Sequence, residues 1–168
     1  TYAEGVLALY SRSGLLGETE NPLMALDYAL QNGAVQRLVI ANPEYAPYGS
    51  AARAALEHAG TWTRARQVLL LGANAGQAVQ YALQGDVDVA LVPLPLARLA
   101  KLQETGQLQA LPKEAFPNVE LHQQMVLLSG ADQKTREFFA YLQTIDSREI
   151  FMRHGLLAPR PANPILQP

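Results

Sequence analysis

The chain has 168 residues, enough for one domain with a real core or for roughly one and a half lobes of something larger. Apolar residues make up 49 %, which argues for a folded globular protein, and the formal charge of −2 argues against nucleic acid, whose binders carry a basic excess. Cysteine is absent, so disulfide frameworks and thiolate metal sites are excluded, and no run approaches the roughly 18–20 apolar residues of a membrane span.

The opening Thr-Tyr-Ala-Glu-Gly has no signal-peptide pattern and reads as the start of a mature segment or of a cut piece. Residues 5–10 read as a buried strand. Residues 22–32 have helical spacing of Leu23, Leu26, Ala29 and Leu30, with Pro22 in the first turn. A second strand is expected over 37–41. A helix follows over 47–59, with Ala51, Ala54, Ala55 and Leu56 inward and Gly60 as its stop. Residues 68–71 read as a third strand, 75–84 as a helix closed by Gly85, and 87–92 as a fourth strand. Residues 94–104 read as a helix ended by Gly106, 119–129 as a long strand, and 133–144 and 147–154 as two helices split near Asp146. From Pro159 the chain carries four prolines and is expected to be an extended, mobile tail. Strands alternating with helices predict an α/β layer structure with a largely parallel sheet.

Enzyme motifs are missing: there is no Gly-x-Ser-x-Gly elbow, no phosphate-binding Walker loop and no dinucleotide fingerprint. His58, His122 and His154 are scattered, with no second ligand at metal spacing, and read as surface or helix-end residues. Asp86 and Asp88 flank a strand start and read as a solvated turn pair. Neither catalysis nor a metal is expected.

Two strand-to-helix junctions carry more chemistry. In the first, the strand ending at Ile40-Ala41 gives way to Asn42-Pro43-Glu44-Tyr45-Ala46, and a helix opens at Pro47-Tyr48-Gly49-Ser50. The early amides Tyr48, Gly49 and Ser50 are expected to lack partners inside the helix, and Gly49 to leave room for a ligand against the backbone. In the second, Gly72-Ala73-Asn74-Ala75-Gly76-Gln77, the pair Asn74 and Gln77 fits a capping box, leaving the amides of Ala75 and Gly76 free. Free amides and the positive dipole end together suit an anion, although ordinary capped helix starts look the same. No Lys or Arg occurs over 38–52 or 67–97, so an anion there would be held by neutral dipoles, which suits a small desolvated ion.

At these residues the sequence resembles the periplasmic molybdate-binding proteins of bacterial ABC importers. The likeness runs through Gly5-Val6-Leu7-Ala8-Leu9-Tyr10-Ser11, the Asn42-Pro43 and Ala46-Pro47-Tyr48-Gly49 run, Ala51 to Leu56, Gly72 to Ala78, Gly85 to Val92, Phe138 to Leu142 and Phe151 to Leu156. The resemblance implies a type II periplasmic-binding-protein fold: two α/β lobes joined by two crossover segments, with a tetrahedral oxyanion held between them by hydroxyls and main-chain amides. It implies that residues 1–128 are the second, inserted lobe with both crossovers, near 7–11 and 125–129. Residues 129–158 would be C-terminal helices of an incomplete first lobe, and 159–168 the proline-rich tail. The amides of Tyr48 and Ala75 would bind the anion, supported by Pro47, Gly49, Ser50, Asn74 and Gly76. Some members add a Tyr hydroxyl where this sequence has Pro93, and the first part of the family's first lobe, with two hydroxyl contacts, has no counterpart here.

The expected function is therefore capture of molybdate or tungstate, ahead of sulfate, for an ABC importer. It would act in the periplasm, without a cofactor, and its partners would be the importer's membrane permease and, through the C-terminal helices, a second copy of the chain. The alternative is an interaction or sensory module whose ligand site has been lost.

Overall fold

The computed structural model describes residues 1–17 and 19–159. In chain order the elements are β1 (Ala3–Glu4), β2 (Leu7–Arg12), α1 (Pro22–Gln31), β3 (Leu38–Ala41), α2 (Pro47–His58), α3 (Trp62–Ala65) and β4 (Leu69–Gly72). They continue with α4 (Ala75–Gln84), β5 (Val89–Pro93), α5 (Leu94–Leu99), β6 (Gly106–Ala110), β7 (His122–Gln123), α6 (Gln133–Tyr141) and α7 (Ile145–Arg153). The chain divides into two units: Val6–Leu121, and Thr1–Gly5 together with the described residues from His122 onward.

The larger unit is built on a five-stranded sheet of order β4-β3-β5-β2-β6. β3 runs parallel to both β4 and β5, whereas β2 is antiparallel to β5 and to β6, so β2 alone opposes the other four. Period-two alternation sends the strand side chains to two layers. Leu7, Leu9, Leu38, Ile40, Val89 and Leu91 meet Leu23 and Leu26 of α1 and Ala51, Ala52, Ala55 and Leu56 of α2. Tyr10, Val39, Ala90 and Val92 meet Ala78, Val79 and Ala82 of α4 and Ala97 of α5. Each fully buried leucine or isoleucine contributes about 1.5–3 kcal/mol, and Leu26, Leu38, Ile40 and Leu56 are all 0 % exposed. Small alanines on the helix faces let α2 and α4 lie close to the sheet.

The expected α/β sheet flanked by helices is present, with local differences. The helix expected over 94–104 stops at Leu99. Lys101 takes a left-handed φ of 57°, and a 3-10 turn follows over Leu102–Glu104. Gly106, expected to end that helix, opens strand β6. A Cβ there would fall on the Ser11 carbonyl oxygen and lie 2.7 Å from Cε2 of Tyr10, so glycine lets the strand dock beside β2. The alternation Gln107-Leu108-Gln109 had a strand period, hidden by the helix-like run before it.

In the smaller unit β1 pairs antiparallel with β7, and Glu4 bridges to Leu157. The rings of Tyr2 and Phe151 meet at a tilt of 57° with centroids 5.3 Å apart. The long strand expected over 119–129 is reduced to the two residues of β7, and Val126 and Leu128 stand exposed beyond it. Asp132 Oδ1 accepts from the Thr135 amide at 2.8 Å and caps α6. Thr144 caps α7, which starts at Ile145 and not after Asp146. Residues 1–5 and 122–128, grouped with the inserted lobe by the sequence reading, cluster instead with these helices. The chain passes between units at Gly5–Val6 and Leu121–His122, and Leu7–Ser11 lies inside the five-stranded sheet. Of the tail expected over 159–168, all but Pro159 lies outside the described residues.

Candidate functional site

β3 and β4 are parallel neighbours in the register Ala41↔Gly72, so both end at the same edge of the sheet. The ladder extends one step further, with the Asn42 amide donating to the Gly72 carbonyl at 2.7 Å. From this shared edge α2 departs to one face and α4 to the other, as their separate core layers require. Adjacent strands whose connections leave to opposite faces open a crevice beyond their carboxyl ends, where open α/β sheets take their ligands. The topology thus brings the two junctions singled out in the sequence side by side.

At the start of α2, Ala46 is the N-cap in extended conformation and offers no side-chain cap. The Asn42 side chain accepts from the Glu44 amide at 3.0 Å, and the Tyr45 and Ala46 amides donate to the Asn42 carbonyl, which winds the loop into a tight turn. Two of the amides expected to be free are taken up. Gly49 N donates to the Ala46 carbonyl at 2.9 Å and Ser50 N to the same oxygen at 3.0 Å. The Ser50 hydroxyl donates to the Pro43 carbonyl at 2.8 Å. Gly49 is also buried, and its missing Cβ serves the protein's own backbone: a Cβ would fall on the Ala41 carbonyl oxygen, with carbons of Ala41 and Asn42 at 2.8 Å. The ligand-approach role expected of Gly49 is therefore replaced by packing of α2 on the end of β3. Pro47 is exposed at the first helical position. Tyr48 is half-buried, and its side chain packs against the core layer shared with α1.

At the start of α4, Asn74 is extended at φ −152° and ψ 175°, and its Oδ1 accepts from the Gln77 amide at 2.9 Å. Gln77 Oε1 reaches back past the N-cap to accept from the Ala73 amide at 2.6 Å, so the capping box closes one residue earlier than expected. The amides of Ala75 and Gly76 receive no partner among the described residues. Ala75 is half-buried and Gly76 exposed, with no side chain to shield either. Gly72, buried behind them, lets α4 turn back sharply, since a Cβ there would lie 2.9 Å from the Ala78 nitrogen.

The electrostatics of this edge are those of dipoles. Glu44 is the single formally charged residue in the loops 42–50 and 73–77, and no cation lies in either. Asp88, expected in a solvated turn, is a structural acceptor at the opposite end of the sheet, its Oδ2 taking the Gln36 and Arg37 amides at 2.9 Å. His58 ends α2, His122 lies in β7 and His154 caps α7, and no cluster of three or more potential metal-binding side chains occurs among the described residues. A groove of about 250 Å³ runs from Gly76 between α4 and α5, lined by Val79, Leu83, Leu96 and Leu99. A larger one of about 440 Å³, between the start of α1 and the end of α2, touches none of the candidate residues. What the sequence left hidden was the Ala41↔Gly72 register that joins the junctions, since pairing partners leave no local signal.

Comparison with known proteins agrees with this architecture. The chain is 23 % identical over 155 residues to the molybdate-binding protein ModA of Rhodobacter capsulatus and 26 % identical over 161 residues to that of Azotobacter vinelandii, with 92 % of the chain covered in each. It spans 58 % and 59 % of the lengths of these two relatives. The solved periplasmic molybdate-binding protein of Azotobacter vinelandii superposes with a TM-score of 0.76 at 24 % identity, over 95 % of this chain and 68 % of that one, which shows a shared fold. No helix among the described residues is long and apolar enough to cross a membrane. A family model described as bacterial extracellular solute-binding protein matches residues 1–157, and the chain belongs to that family.

Proposed function

We propose that this chain captures a tetrahedral oxyanion, molybdate or tungstate ahead of sulfate, in the periplasm, and delivers it to the membrane permease of an ABC importer. The observation that carries the reading is the pair of unpartnered amides, Ala75 and Gly76, at the start of α4, on the sheet edge shared with α2. The names of the two relatives supply the oxyanion. Amide donors in loops that carry no cation favour a small ion that sheds its water, because the dipoles are fixed and need no reorganisation when it arrives. Each charge-assisted hydrogen bond contributes about 1.5–3 kcal/mol. Tyr48 joins Ala75 as the second amide donor in this reading, with Pro47, Gly49, Ser50, Asn74 and Gly76 shaping the two helix starts around the ion. No cofactor and no catalytic step take part.

Thermal unfolding in a panel of molybdate, tungstate, sulfate and phosphate tests this reading. Ligand that binds only the folded chain raises its unfolding temperature. The expected result is a rise with molybdate and tungstate that exceeds those with sulfate and phosphate. No rise with any of the four would instead favour an interaction or sensory module that has lost its ligand.

A further inference from the structure

We propose that Asn32, at the end of α1, is a site of spontaneous covalent modification. Its side-chain amide closes onto the Gly33 nitrogen, loses ammonia and is hydrolysed to an aspartyl or isoaspartyl residue. The sequence sets this position apart from every other asparagine. Asn21, Asn42 and Asn163 precede proline, which has no N–H to attack with. Asn74 precedes alanine and Asn118 valine, whose side chains crowd the approach, whereas Gly33 has none.

The structure makes the reaction reachable in the folded chain. Asn32 is the C-cap of α1 at φ −91° and ψ 3°, and Asn32, Gly33 and Ala34 are all exposed. The Ala34 amide donates to Asn32 Oδ1 at 3.0 Å. That bond draws electron density from the carbon under attack and supports the negative charge its oxygen takes up. Closing the five-membered ring requires Asn32 ψ to leave its 3°. The bond released there, from Gly33 N to the Leu30 carbonyl, is long at 3.3 Å, and a Cβ at Gly33 would meet nothing within 4 Å, so the turn has room to rotate. The turn leads into β3 at the end away from Ala41 and Gly72, so the candidate anion site takes no part.

In the first step a base removes the Gly33 amide proton, the nitrogen bonds to Asn32 Cγ, and the side-chain nitrogen leaves as ammonia with a proton from solvent. In the second, water adds to either carbonyl of the ring and opens it. One direction restores the backbone beside a side-chain carboxylate, and the other routes the backbone through Cγ. The net change consumes one water and releases one ammonia, with no oxidant or reductant. Either product places a negative charge at the carbonyl end of α1, whose last turn holds no basic residue. The isoaspartyl product also adds a backbone carbon just ahead of Val35, which is buried in the core.

Ageing the folded chain in warm, mildly alkaline buffer tests this, with peptide mass spectrometry and electron-transfer fragmentation to tell aspartyl from isoaspartyl. The peptide between Arg12 and Arg37 should gain about one mass unit at Asn32, at least about tenfold faster than Asn74 or Asn118 changes. The folded chain should react within about tenfold of the rate in a urea-unfolded control. Asn32→Gln, whose longer side chain must close a six-membered ring, should leave that peptide unchanged over the same period. Asn32→Asp, which installs one product directly, should unfold about 1–4 °C below the parent. An Asn32 that stays intact in the folded chain while converting in urea would overturn the proposal, as would equal conversion at Asn74 or Asn118.

Discussion

The starts of α2 and α4 look alike in sequence, each a strand end, a short loop and a helix opening on small residues, yet they treat their amides differently. At α2 the Gly49 and Ser50 amides fold back onto the Ala46 carbonyl, and the glycine is fixed by the backbone of β3. At α4 the Asn74 and Gln77 side chains satisfy the Gln77 and Ala73 amides and leave those of Ala75 and Gly76 pointing outward. In both helices the third amide is satisfied, by the Ala46 carbonyl at α2 and by Asn74 Oδ1 at α4, but α4 offers the two amides before it, whereas the first residue of α2 is Pro47, which has no N–H. In the proposed site, α4 is therefore the stronger anion contact and α2 chiefly shapes the edge.

Substitutions at the glycines should separate the two starts most. Gly49→Ala must push α2 off β3 and is expected to cost about 3 kcal/mol in urea unfolding. Gly76→Ala, whose Cβ would meet only Asn74 Oδ1 at 3.2 Å, should change stability by less than about 1 kcal/mol. Equal losses at both positions would break the contrast. Ala75→Pro comes next. Proline is tolerated at a first helical position, and Asn74 already has the extended conformation it demands, so stability should move by less than about 0.5 kcal/mol. Molybdate affinity should nevertheless fall about ten- to a hundredfold with the lost donor. Tyr48→Phe, which keeps the amide, should shift affinity less than about twofold.

The caps give smaller, opposite effects. Asn74→Ala is expected to lower stability by about 1 kcal/mol, and Ala46→Ser to raise it by up to about 1 kcal/mol, since the α2 start, unlike that of α4, lacks a side-chain acceptor. The cap of α6 extends the comparison to a charged acceptor. Hydrogen bonds from the Thr135 side chain and amide hold the exposed Asp132 carboxyl below its ordinary 3.8. A carboxylate depressed in the folded state stabilises above its unfolded pKa, and that contribution fades as pH falls through the folded value. Helix content followed by circular dichroism should thus show a small loss on acidification below about pH 4 that Asp132→Asn removes. Identical acid profiles for parent and variant would argue against it.

Much of this was legible in the sequence where one element decides itself. The periods of 3.6 and 2 placed α1, α2, α4 and strands β2 to β5, and the Asn74 to Gln77 spacing announced the cap of α4. What depended on distant partners was not. Gly106 reads as a helix stop until β2 is known to lie against it. Gly49 reads as room for a ligand until the Ala41 carbonyl is found behind it. Residues 119–129 are apolar enough to read as one long strand, while only His122 and Gln123 find a pairing partner in β1. The relation between the two helix starts is a matter of register, Ala41 beside Gly72, and no local pattern encodes it.

Isothermal titration of the parent chain and of Ala75→Pro with molybdate tests the proposed site most directly. Because Gly76 is exposed and Ala75 half-buried, water competes for the ion, and the parent should bind at micromolar or weaker affinity. The variant should bind at least about tenfold more weakly with its unfolding transition unchanged. Equal affinities in the two chains would contradict the assignment of the α4 amides, however tight the binding proved to be.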